Sequence, residues 1–290
     1  MELSCRSADR PFHPDEIRAQ SWTLEDIPWD EIDRQAMAGE EILFYLVATA
    51  SFVESATDTY THNLVEYYAQ DREIASWLQE HWLAEELQHG RALKRYVQLT
   101  WPFFDWDEVY AAFFGEFSAK CASDGLESDR CLEAVSRCIV EMGTSSYYTA
   151  IAGLSPDPVL RKLAAFIRED EIRHYKHFYR FFSIYRRREG TGRTQVLRAI
   201  LRRLRMLDFE DSTIALKHAY AIQHPGVRFD RRRYRDVQKR IREALSADFP
   251  VQMSAKMTLK PLDLNYYVQK AALFAIEVAS HRLLPHRPPA

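Results

Sequence analysis

The sequence predicts an all-α protein whose core is a four-helix bundle. Glycine and proline are scarce, with 9 and 12 residues in a chain of 290, which suits long helices better than the many turns of a sandwich or barrel. Long stretches repeat their apolar residues every three or four positions, the period of a helix buried on one side. Two stretches carry the tetrad Glu-x-x-His, and each follows a stretch with one isolated glutamate. This order predicts four helices that face one centre.

The predicted elements follow the chain in three parts. Residues 1–30, which contain three prolines, are predicted to be a lead-in, and residues 31–188 to form the bundle. Breaks at Pro102 and at the run Ser155-Pro156-Asp157-Pro158 separate the helices. We predict core helices over about 31–70, 71–99, 128–153 and 159–188, with a helix over 106–121 in the crossover between the second and third.

Residues 189–290 are predicted to form a C-terminal helical extension packed on the bundle. Gly190 and Gly192 end the last core helix. Weaker helical patterns cover about 194–222, 230–246 and 264–283. The segment 249–262 contains Pro250 and Pro261 and is predicted to be a loop.

Six side chains on the apolar stripes are candidate metal ligands. Positions i and i+3 of a helix share a face, so each tetrad can direct a carboxylate and an imidazole at one object. An ionised glutamate on an apolar stripe is costly unless it is paired or ligated, and four in this order are hard to explain as separate ion pairs. The predicted ligands are Glu54, Glu86, His89, Glu141, Glu171 and His174.

Three residues near the predicted ligands, Glu85, Asp58 and His177, are alternatives or additions to them. Glu86 is preferred to Glu85 because the positions around Glu85 are more polar. Asp58 lies one turn from Glu54 and is a rival to it. His177 lies one turn beyond His174 and could add a ligand, although packing or solvent exposure is its simpler interpretation.

The types of ligand predict a site for two metal ions, either iron or manganese. Carboxylate and imidazole without thiolate suit these metals better than structural zinc. The four cysteines form no Cys-x-x-Cys pair, which argues against a zinc knuckle or rubredoxin-like site and favours reduced thiols.

These residues resemble the ferritin-like di-iron carboxylate proteins over about residues 35–188, and their motifs are closest to the soluble acyl-carrier-protein desaturases. The resemblance is carried by Glu85-Glu86-Leu87-Gln88-His89-Gly90, by Asp170-Glu171-Ile172-Arg173-His174, and by Thr144 three residues after Glu141. It implies that Asp170 accepts a hydrogen bond from a ligating histidine. It also implies that Thr144 helps to protonate or orient an oxygen species at the metals. Gln88 departs from the pattern, which has arginine there.

The resemblance implies a non-haem di-iron oxidase or oxygenase that uses dioxygen and reducing equivalents on an apolar or acyl-type substrate, as desaturases and hydroxylases do. A small-molecule or carrier-bound acyl substrate and an external electron donor such as a ferredoxin are the expected partners. The ligand spacing also fits aldehyde-deformylating oxygenases and aryl-amine N-oxygenases. Two other functions stay open: a ferroxidase or rubrerythrin-like protein that handles iron or peroxide, and a non-enzymatic helical binding protein.

The charge distribution adds a possible docking surface. Residues 186–243 contain 17 Lys or Arg residues against 7 Asp or Glu residues, whereas the whole chain has a net charge of −3. This segment could dock an acidic partner, namely an acidic carrier protein, an electron donor, a membrane surface or nucleic acid, or its charges could simply be solvated. No apolar run approaches the length of a spanning helix, and the N-terminus has no apolar signal core. We therefore expect no transmembrane segment and a cytoplasmic location; a homodimer remains open.

Overall fold

A computed structural model describes residues 22–119, 126–206 and 210–283, and helices are the only regular secondary structure in those ranges. The prediction of an all-α fold is confirmed. The helices are α1 (Arg34–Met37), α2 (Glu41–Ser55), α3 (Asp58–Tyr67), α4 (Arg72–Trp77), α5 (Leu83–Thr100), α6 (Trp106–Ser118), α7 (Arg130–Leu154), α8 (Pro158–Glu189), α9 (Arg193–Met206), α10 (Glu210–Gln223), α11 (Arg231–Ser246), α12 (Val251–Leu259) and α13 (Tyr266–Leu283).

Four helices form the centre of the bundle. Helix α2 packs against α5, and α7 packs against α8 along most of its length. Contacts of α2 with α7 and of α5 with α8 join the two pairs. The later helices cover this centre, with α9 and α12 on α7, α10 on α2 and α6, and α11 on α7 and α2. The division of the chain at residues 30 and 188 stays a prediction.

The ends of α8 have clear chemical causes. Asp157 accepts a hydrogen bond from the backbone N–H of Leu160 at 2.8 Å and caps the helix, and Pro158 occupies its first turn. Asp157 also accepts from the Tyr96 hydroxyl at 2.8 Å, which ties the start of α8 to α5. At the other end Gly190 has a φ of 70°, a conformation that glycine adopts without a steric penalty.

The sequence predicted one continuous core helix over 31–70. This prediction is wrong, because three helices, α1, α2 and α3, occupy the range. The backbone leaves the helical region at Ala56, with φ −98° and ψ 5°. The Thr61 hydroxyl then donates to the Thr57 carbonyl at 2.7 Å. No glycine or proline marks this break, and the buried positions continue across it, so apolar periodicity could not reveal it.

The second core helix is continuous from α4 through α5, but it contains a π-helical turn at Leu78–Trp82. A π turn adds a residue to one turn and changes which positions face the core afterwards. This turn ends just before the first tetrad. It therefore helps to set the face on which Glu86 and His89 lie.

The predicted loop over 249–262 is wrong, because α12 and a 3-10 turn at Lys260–Leu262 occupy it. Both prolines lie at helix starts: Pro250 is the residue before α12, and Pro261 lies within the first two positions of the 3-10 turn. Proline is tolerated there because the first N–H groups of a helix have no partner within it. Residues 120–121 and 207–209 of the predicted helices lie outside the described residues. Within the described residues, no helix combines the length and apolar content needed to cross a membrane.

Candidate metal centre

The structure brings the six predicted ligand residues together between α2, α5, α7 and α8. They form two groups, and within each group one ligand atom from every residue lies within 4.8 Å of the others. One group contains Glu54, Glu86, His89 and Glu171, and the other contains Glu86, Glu141, Glu171 and His174. Glu86 and Glu171 belong to both groups. The arrangement thus offers two adjacent metal positions, each with its own glutamate and histidine and with two shared carboxylates.

All six side chains are buried, with Glu54 the most exposed at 7%. The rival acid Asp58 is exposed and belongs to neither group. His177 lies outside both groups and stacks on Trp77 at a ring-centroid distance of 4.7 Å. Burial lowers the pKa of His177 to about 4, with help from the nearby His174.

The two tetrads interlock across α5 and α8. His89 Nδ1 lies 3.4 Å from Glu171 Oε1, and His174 Nδ1 lies 3.1 Å from Glu86 Oε1. The histidine of each tetrad therefore faces the glutamate of the other tetrad. Both Nδ1 atoms point into the cluster and lack a hydrogen-bond partner among the described residues.

Buried polar atoms without partners indicate that the cluster fits metal ions. Both carboxylate oxygens of Glu141 and the Oε1 atom of Glu171 have no hydrogen-bond partner among the described residues. An unsatisfied buried carboxylate is expensive, whereas divalent ions satisfy several such oxygens and imidazole nitrogens at once. Four carboxylates and two imidazoles match the preferences of iron and manganese.

A second acid fixes the outer nitrogen of each histidine. His89 Nε2 lies 2.9 Å from Asp170 Oδ2, and His174 Nε2 lies 2.7 Å from Glu85 Oε2. Although burial opposes its charge, the hydrogen bond from His174 lowers the pKa of Glu85 to about 2. A carboxylate at Nε2 places a proton on that nitrogen and leaves Nδ1 available to a metal.

Glu85 was missed as a partner of His174, because it was considered only as a rival ligand to Glu86. A signal for it was present in the sequence. Each tetrad is preceded directly by an acid, Glu85 in the first and Asp170 in the second. The two tetrads match in this respect, so the role that the resemblance implied for Asp170 could have been extended to Glu85.

Two hydroxyl groups of α7 contact the clustered carboxylates. Thr144 Oγ1 lies 2.8 Å from Glu171 Oε2, closer than to the carbonyl oxygens of its own helix at 3.2 and 3.3 Å. The Tyr148 hydroxyl donates to Glu54 Oε1 at 2.5 Å. Its contact orients Glu54 from the opposite pair of helices.

Of the predicted lead-in, residues 1–21 lie outside the described residues, and Trp22 covers the His89 side of the cluster. Trp22 donates its indole N–H to Asp170 Oδ2 at 2.8 Å and stacks parallel to His89 with centroids 6.2 Å apart. Gln88 donates its amide to the Trp22 carbonyl at 2.8 Å. The glutamine that departs from the desaturase pattern therefore fastens this segment, a role that sequence reasoning did not assign to it.

The crowded carboxylates predict a pH-dependent stability for the metal-free protein. Burial, with repulsion from Glu171, raises the pKa of Glu141 from 4.5 to about 8 and also raises the pKa values of Glu54 and Glu86. Between about pH 4.5 and pH 8 the unfolded chain loses these protons first, so the free energy of unfolding falls as pH rises. We expect thermal unfolding to show a Tm lower by several degrees at pH 8 than at pH 5.

Glu141→Gln is the matched variant for this prediction, because it removes one raised carboxyl and keeps the side-chain volume. Its Tm should depend less steeply on pH than that of the wild-type protein. Equal slopes for the two proteins over pH 5–8 would contradict the assignment of the effect to this cluster.

Comparison with known proteins gives one match. Residues 29–248, about three quarters of the chain, match a protein-family model described as fatty acid desaturase. No curated protein and no solved structure matches the chain. The matched range contains all six clustered residues and continues through α9, α10 and α11, so the relationship extends well beyond the predicted bundle.

Proposed function

We propose that this chain, which belongs to the fatty acid desaturase family, is an oxidoreductase that uses two buried iron ions and dioxygen to modify a fatty acyl chain. The observation that carries the proposal is the pair of overlapping four-residue groups, buried and joined through Glu86 and Glu171. Manganese is the alternative metal.

Each ion would be held by residues from both helix pairs. Glu54 and His89 would hold one ion, Glu141 and His174 the other, and Glu86 and Glu171 would serve both. When bound, two iron ions supply the redox chemistry with dioxygen that protein side chains cannot provide.

The side chains around the site would position the ligands, hold protons at defined atoms and exclude water. Asp170 and Glu85 hold the proton on Nε2 of His89 and His174, which keeps each Nδ1 free. The Thr144 hydroxyl holds a proton beside Glu171 Oε2, a location from which it can be given to a group bound between the helices. Because all six clustered residues are buried, charges inside the site interact strongly.

The partners proposed from the sequence concern the later helices. Several cations on α11 are exposed, namely Arg231, Arg232, Arg235, Lys239 and Arg242. Other cations of the basic segment pair with acids of the bundle helices. For example, Arg240 lies 2.6 Å from Glu41 of α2. The exposed set supports docking of an acidic carrier protein that delivers the acyl chain. A ferredoxin-type electron donor and a homodimer stay predictions.

The experiment that tests the function combines metal analysis with turnover. Protein purified without oxygen and loaded with ferrous iron should bind two ions per chain. With oxygen, reductant and a carrier-bound fatty acyl substrate, it should yield an unsaturated or hydroxylated acyl product, detected by mass spectrometry. His174→Ala should lose at least about tenfold in metal affinity and lose product formation.

His81→Ala is the control, because His81 lies on the same continuous helix as the first tetrad but is exposed. It should retain both ions and normal product yield. The proposal fails if the wild-type protein binds no iron or manganese, or if His174→Ala equals His81→Ala in both measurements. Metal uptake with iron oxidation but without an acyl product would favour a ferroxidase.

A further inference from the structure

We propose that Arg173 is a positioning residue that couples the two histidines of the metal centre, so that its loss weakens both metal positions together. This inference rests on the proposed function, but the two acids that Arg173 contacts, Asp170 and Glu85, lie outside the two ligand groups. Arg173 itself contacts neither group.

The contacts form one unbroken chain across α5 and α8. Arg173 Nη2 lies 2.5 Å from Asp170 Oδ1 and 3.3 Å from Glu85 Oε1. The other oxygen of each acid contacts a histidine: Asp170 Oδ2 lies 2.9 Å from His89 Nε2, and Glu85 Oε2 lies 2.7 Å from His174 Nε2. A single guanidinium nitrogen therefore links both imidazoles through two carboxylates.

The position of the acids explains why a cation is needed. The Asp170 side chain is 2% exposed, and that of Glu85 is 24% exposed, so water solvates neither fully. Two carboxylates that approach a common point repel each other unless a positive charge lies between them. Arg173 supplies that charge, because it forms an ion pair with Asp170 Oδ1 and donates a hydrogen bond to Glu85 Oε1, the oxygens that the two histidines do not contact.

The first tetrad offers no equivalent cation. Gln88 occupies the position that Arg173 occupies in the second tetrad, and its amide contacts the Trp22 carbonyl instead. The two halves of the site are therefore alike in their ligands but unlike in their support. Because one arginine serves both histidines, a change at residue 173 should reach His89 as well as His174.

Arg173→Met tests the inference, because it removes the charge and keeps much of the packing of the stem. In the metal-free protein, ¹H–¹⁵N spectra should show the Nε2–H resonances of both His89 and His174 shifted or broadened by exchange with water. In titrations with Co²⁺, the affinity for both ions should fall by about tenfold or more.

Arg173→Lys restores a cationic nitrogen and should recover part of both effects, which a purely packing role would not predict. Arg180→Met is the control, because Arg180 lies on the same helix and pairs with Glu73 at the surface. It should leave both resonances and both affinities unchanged.

The outcomes distinguish the coupling through Arg173 from the proposed function. Unchanged histidine resonances in Arg173→Met, or a change confined to one histidine, would overturn the coupling. So would a normal affinity for either Co²⁺ ion. If the wild-type protein binds no metal but Arg173→Met still shifts both resonances, the coupling of the two histidines through Arg173 stands and the proposed function fails.

Discussion

Glu171→Gln is expected to abolish binding of both metal ions, whereas Glu54→Gln is expected to remove one. Glu171 belongs to both ligand groups, and its two oxygens lie near His89 Nδ1 and Thr144 Oγ1. Glu54 belongs to one group and is the most exposed of the six. A neutral amide nearly preserves the volume but is a much weaker ligand for a hard cation.

The measurement for this prediction is the number of ferrous or cobaltous ions bound per chain, with turnover measured on the same samples. We expect turnover in Glu171→Gln to fall by about 100-fold or more. Substitution of a residue that only supports a metal ligand costs about 10- to 100-fold, and loss of a ligand should cost at least as much. Glu80→Gln, an exposed position before the first tetrad, should match the wild-type protein.

Circular dichroism of the metal-free variants checks that the helices remain. The prediction of shared carboxylates is wrong if folded Glu171→Gln retains one tightly bound ion. It is equally wrong if Glu54→Gln loses both ions as completely as Glu171→Gln does.

Gly90→Ala is expected to lower the free energy of unfolding by about 2 kcal/mol, within the range for overpacking a core. A Cβ atom at Gly90 would lie 2.8 Å from the Ser55 backbone nitrogen and 2.9 Å from its Cα. Because these are backbone atoms, α2 and α5 would have to move apart. Glu54 precedes Ser55, and His89 precedes Gly90, so this movement should also weaken metal binding.

Urea unfolding measures the loss, and Gly115→Ala on α6 is the matched control. A Cβ at Gly115 meets no atom within 4 Å, and alanine has the higher helix propensity, so this variant should gain up to about 1 kcal/mol. The two substitutions should therefore have opposite signs. A Gly90→Ala protein as stable as Gly115→Ala would show that the close approach of α2 and α5 is not required.

The six candidate ligands could be selected from the sequence because the selection depends on local spacing, and the structure brings them together. A glutamate and a histidine three residues apart lie on one helix face whatever surrounds the helix. The apolar stripes around Glu86 and Glu171 determine that this face is turned inward. The same reasoning separated Glu86 from Glu85, since the two differ by one position on the helix.

Apolar periodicity did not predict where helices break or begin. The interruption at Ala56 contains no residue that forbids a helix, and it leaves the apolar pattern unbroken. Conversely, Pro250 and Pro261 were read as loop residues because proline is excluded from helix interiors. Composition alone does not distinguish a proline that begins a helix from a proline that lies in a loop.

By itself, the sequence determined the all-α class, the order of the core helices and the residues that meet at their centre, because these depend on the fixed period of a helix. Only the tertiary structure decided how the two tetrads cross. His89 faces Glu171, His174 faces Glu86, and Arg173 joins the acids behind both histidines. These contacts depend on the rotation and separation of α5 and α8, which arise from packing between helices and leave no periodic pattern in either one.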